Sequence, residues 1–107
     1  MQNTTNWPSE QLPDGWIVST PKHAENLARE LETELPKKHI LKSVPVRVIA
    51  NRDGTDDILC QHVNEPKRFT VVHLTWKGRE EIDGHPSVEV DGTFDDFIEY
   101  ENNYLGN

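Results

Sequence analysis

The chain has one cysteine, Cys60, and one methionine. A lone thiol excludes an internal disulfide and a zinc site of four cysteines. No apolar run approaches the roughly 18 residues of a membrane-spanning helix. No basic segment leads into an apolar stretch at the N-terminus, so no export signal is expected. HExxH, a serine elbow and a phosphate-cradling glycine loop are all missing. So are the clustered arginines and stacking aromatics of a nucleic-acid module, which makes direct nucleic-acid binding unexpected. Residues 80–107 contain no lysine or arginine at all. These absences leave a cytoplasmic protein, not tied to a membrane, without a recognisable catalytic motif or cofactor.

What is present is acidic and foldable. The 107 residues suit one domain. Leu, Ile, Val and Phe number 26, above the one-fifth or so below which a highly charged chain stays disordered. The expected core is small, and so is the margin of stability. Acids outnumber bases by 19 to 11, giving a net charge of -8.

Residues 1–18 read as a polar arm, with Pro8 and Pro13 opposing helix and central strand alike. Trp16, Ile17 and Val18 at its end can cap the core, and Trp7 is a candidate interface anchor. Residues 19–107 form the expected single α+β domain. Thr20 followed by Pro21 is a strong helix start. Ala24, Leu27, Ala28, Leu31 and Leu35 then share one helical face until Pro36 ends the pattern.

Strands are expected over 44–50, 57–63 and 68–76, with a turn at Asp53-Gly54. Pro45 puts the first at a sheet edge or marks its entrance. The third is the richest in β-branched and aromatic residues and is expected to be central. Val88 and Val90 suggest a short edge strand. Thr93, with Asp95 and Asp96 in the following turn, opens a second helix, and Phe94, Phe97, Ile98, Tyr104 and Leu105 supply its apolar stripe. The predicted fold is an antiparallel sheet of three or four strands packed by an N-terminal and a C-terminal helix, both on one face.

Charge is segregated. Residues 37–52 carry five bases and no acid, and 67–79 carry four bases and no acid. Residues 80–107 carry nine acids. Such blocks either pair within the molecule or form a docking surface for a basic partner. The second alternative predicts a small protein-binding module of the immunity or inhibitor type that masks a basic protein. Its contact residues are Glu80, Glu81, Asp83, Asp91, Asp95, Asp96, Glu99 and Tyr100. Nothing in the sequence fixes the oligomeric state.

The alternative reading is a small metal-binding domain or metal-dependent enzyme. If Val63 pairs with Arg68, then Ile58 faces His73, Cys60 faces Val71 and His62 faces Phe69. Cys60, His62 and His73 then share a face, and a thiolate with two imidazoles can hold zinc with an open position. Asp56-Asp57 and Asp95-Asp96 are adjacent pairs with diverging side chains, unlike the facing carboxylates of a glycosidase.

Asp56-Asp57-Ile58-Leu59, then Thr70-Val71-Val72-His73-Leu74-Thr75-Trp76, then Glu80 or Glu81, resembles a group of small bacterial proteins of unknown function. In these a VVHLTW-type strand follows an acidic-aliphatic one. The resemblance covers the middle third of the chain. It implies a bacterial origin and draws attention to His73, Thr75 and Trp76, but it implies no activity.

Overall fold

In the computed structural model, which describes residues 12–82 and 84–104 (the last by its backbone), helix α1 (Pro21–Glu34) starts at the expected cap. The Thr20 hydroxyl accepts the His23 N–H at 3.2 Å. The helix stops at Leu35, whose extended backbone leads into Pro36. Helix α2 (Phe94–Tyr104) opens with a reciprocal cap. The Thr93 N–H donates to Asp96 Oδ2 at 2.9 Å, and the Asp96 N–H donates to Thr93 Oγ1 at 3.1 Å.

Five strands form one antiparallel sheet in sequence order: β1 (Trp16–Val18), β2 (Val46–Arg52), β3 (Asp57–His62), β4 (Phe69–His73) and β5 (Ser87–Gly92). Residues 16–18, read from sequence as the end of the arm, are thus an edge strand. The middle place belongs to β3. Strand β4, expected to be central, is an interior strand, paired with β3 on one side and β5 on the other. Pro45 stands at the entrance of β2, where its carbonyl accepts the Val63 N–H at 3.0 Å. Gly54 takes a φ of +82° in the β2–β3 turn, a backbone that glycine accepts without steric cost. The expected positions of Trp7, Asp83 and Leu105 lie outside the described residues.

The helices do not share a sheet face as the sequence suggested. Leu27, Leu31 and Leu35 of the α1 region pack with Val48, Ile58, Cys60, Val72 and Leu74. Phe97 of α2 packs with Trp16, Ala50, Leu59, Phe69 and Val71. Successive residues of β3 and β4 therefore serve opposite layers, and the sheet is sandwiched between the helices. The unbroken runs Ile58-Leu59-Cys60 and Val71-Val72 are the sequence trace of this two-sided burial. Each fully buried Leu or Phe contributes about 1.5–3 kcal/mol. A T-shaped contact at 5.2 Å joins Trp16 to Phe97 and ties β1 to α2.

Between β4 and β5 the register shifts: Val71 faces Val90 while Val72 faces Val88. Glu89 is the extra residue of this bulge. Its carboxylate bonds to Ser87 Oγ at 2.8 Å and to Tyr100 Oη at 3.2 Å, so the bulge aims it at α2.

Candidate functional site

The proposed metal trio does not assemble. The His62 N–H donates to the Arg68 carbonyl at 3.0 Å, so the β3–β4 pairing is one residue away from the expected hairpin. Ile58 faces Val72 and Asp57 faces His73. A one-residue step reverses the face of every side chain in a strand. Cys60 and His62 consequently lie on the α1 side, and His73 lies on the α2 side. Among the described residues no three His, Cys, Asp or Glu side chains are grouped to hold a metal ion. Cys60 is fully buried, and burial pushes its thiol up to about 12. The His62 Nε2 lies 2.8 Å from Thr70 Oγ1, whose hydroxyl donates to Asp91 at 2.8 Å. Burial, and then the nearby Arg68 charge, lower the His62 pKa, so this is a neutral structural imidazole.

The predicted acidic surface is partly internal. Asp91 is clamped by Arg68 through two bonds of 3.0 and 2.8 Å. These bonds hold its carboxyl below the ordinary value. Glu81 is buried, beside Lys77 at 3.5 Å. The nearby Thr75 hydroxyl is the first cause of its lowered pKa. Asp96 belongs to the α2 cap, and Tyr100 is half-buried against Glu89. Burial, followed by the Glu89 charge, pushes the Tyr100 phenol up to about 12. Glu80, Asp95 and Glu99 are exposed, and among the described residues none has an ion-pair partner. Asp83 lies outside the described residues.

Two arrangements escaped the sequence reading. On the α2 side, buried Glu101 pairs with Arg52, whose Nε is 3.0 Å from Asp57 Oδ2. Asp57 Oδ1 in turn lies 2.7 Å from His73 Nδ1. Burial opposes the Arg52 charge, but the bonds and charges of Glu101 and Asp57 outweigh it and raise the Arg52 pKa. The chain of contacts runs from the interior to a half-exposed imidazole. Ser87 is the strand partner of His73 on β5, but its hydroxyl donates to Glu89. The row Asp57, His73, Ser87 is therefore an oriented imidazole beside an engaged serine. Tryptophan and arginine at 16 and 52 stack at 4.8 Å, which further fixes the guanidinium.

On the α1 side, the fully buried Glu34 carboxylate accepts the backbone N–H groups of Thr75 and Trp76 at 3.0 and 2.7 Å. Burial, and then Glu30, raise its pKa despite these donors. Sequence spacing gave no sign of Glu34, since it occupies an ordinary last-turn position in α1.

No described helix is long and apolar enough to cross a membrane. Compared with known proteins, the chain matches no family model, no curated protein and no solved structure.

Proposed function

We propose that this protein is a cytoplasmic, non-enzymatic binding module of the immunity or inhibitor type, docking a basic protein through the outer face of α2. The observation that carries this reading is the pair Asp95 and Glu99. They stand one turn apart on α2, exposed, with no cation partner among the described residues. Asp91 and Glu81 are engaged by Arg68 and Lys77, and Asp96 by the α2 cap, so they drop out of the docking set. The surface that remains is smaller than the full acidic block. It consists of Asp95 and Glu99, with Tyr100 at the inner margin of α2; Glu80, next to the Glu81 held at the end of α1, does not belong to it.

Exposed carboxylates of this kind speed encounter and select a partner's sign of charge more than they add affinity. Association is therefore fast and salt-sensitive. Pull-down from the native host at low and high salt, with Asp95→Asn/Glu99→Gln beside the wild type, tests the reading. A basic protein retained only at low salt, and lost with the double variant, supports it. Retention indifferent to salt and to both substitutions refutes it.

A further inference from the structure

Trp76 has a backbone φ of +59°, a left-handed conformation that is unfavourable for a bulky side chain. Four hydrogen bonds hold the surrounding loop against the end of α1. Glu34 takes two N–H groups in its carboxylate, and its carbonyl accepts the Glu81 N–H at 2.9 Å. Glu30 accepts the Gly78 N–H at 3.1 Å. A buried carboxylate and a disfavoured backbone thus fix one segment. Yet its indole remains 47 % exposed, whereas Trp16, a core residue, is 7 % exposed. Core packing does not account for this arrangement, and strain maintained by surrounding structure is characteristic of binding sites.

The indole borders a groove of about 480 Å³ along the outer face of α1, lined also by His23, Asn26, Arg29, Glu30 and Thr33. That volume suits a small ligand. The aromatic face favours apolar C–H groups. Around it stand an amide, a guanidinium, a hydroxyl and a carboxylate, which donate and accept hydrogen bonds. The Thr33 hydroxyl donates to the Arg29 carbonyl at 2.9 Å and keeps its lone pairs for a ligand. Arg29 and Glu30 cancel in charge, and Arg29 already lies 3.6 Å from Glu25. The lining therefore offers no net attraction to an anion. A ring with an apolar C–H face and a rim of hydroxyls matches it on both counts.

We propose that the Trp76 groove is a binding site for a neutral saccharide, with the ring stacked on the indole and its hydroxyls bonded to Asn26, Glu30 and Thr33. The site lies on the α1 side of the sheet and is independent of protein docking through α2.

The test is titration of the full chain, labelled with 15N, with maltose, cellobiose and N,N′-diacetylchitobiose at millimolar concentration, following the indole N–H resonances. A proline-rich peptide is titrated in parallel. The proposal predicts a saturable shift of the Trp76 resonance with at least one sugar, while the Trp16 resonance stays in place. Asn26→Ala, an exposed change on α1, weakens that binding by about tenfold. Trp76→Gly, which accepts the left-handed backbone, keeps the loop bonds and a dispersed Trp16 signal but abolishes sugar shifts elsewhere in the groove. No response to any of the sugars, a response unchanged in both variants, or a response to the peptide alone overturns it.

Discussion

His73 Nδ1 meets Asp57 Oδ1 at 2.7 Å across the β3–β4 pair, on the sheet face opposite Cys60. The register that permits this contact puts His73 and His62 on opposite faces of the sheet, where the expected hairpin would have put them on one. It leaves Cys60 in the α1-side core, where its neighbours are Ile58, Val72 and leucines of the α1 region.

Cys60 is accordingly expected to be inert. A thiol that is fully buried, with a pKa of about 12, presents almost no thiolate. Ellman's reagent at mildly alkaline pH leaves the native protein unlabelled and labels one thiol once denaturant is added. Rapid native labelling contradicts the assigned environment.

The Arg52–Glu101 pair is expected to be costly to break from one side. Arg52→Met leaves the Glu101 carboxylate buried without its cation, at a cost of about 3–5 kcal/mol in urea denaturation. The double variant Arg52→Met/Glu101→Leu recovers much of that loss, because both charges leave together. Equal losses in the single and double variants contradict a coupled pair.

Much of this architecture is legible in the sequence, and the unread parts share a cause. Thr20-Pro21 and the leucine spacing give α1, and Thr93 with two following aspartates gives α2, because caps and periodicity are local. Strand β1 escapes because three residues carry too little alternation to be distinguished. The placement of α2 escapes because an unbroken apolar run does not say which element covers each face. Arg68 and Asp91 lie 23 residues apart, and Arg52 and Glu101 lie 49 apart. Composition shows opposite charge blocks, but only strand register decides which members meet. The Glu34 bonds to Thr75 and Trp76 depend likewise on tertiary placement.

Asp91 and Glu34 are expected to give opposite pH signatures. The Arg68 bonds lower the Asp91 pKa from 3.8, so the unfolded chain takes up a proton first as pH falls. Its contribution is complete above the unfolded value and is lost as pH drops through the folded one. Asp91→Asn therefore flattens the acid limb of stability against pH. A variant with an unchanged acid limb contradicts the assignment.

Burial raises the Glu34 pKa above 4.5, so the folded protein holds this proton more tightly than the unfolded chain does. Stability from this group is present below the unfolded value. It declines as pH rises from there through the folded value. Glu34→Gln removes that decline, and denaturation midpoints across the acidic range measure it. A decline that persists in the variant contradicts the sign.

Docking of a basic protein on Asp95 and Glu99 of α2, as proposed, is open to direct test. Its most direct measurement is site-specific photo-crosslinking in the native host, with the photoreactive residue at position 99 of α2 and, as control, at exposed position 32 of α1. Docking through α2 predicts an adduct with a basic protein from position 99 that fades as salt rises, and no such adduct from position 32. Equal adducts from both positions, or none from position 99 at low salt, contradict it.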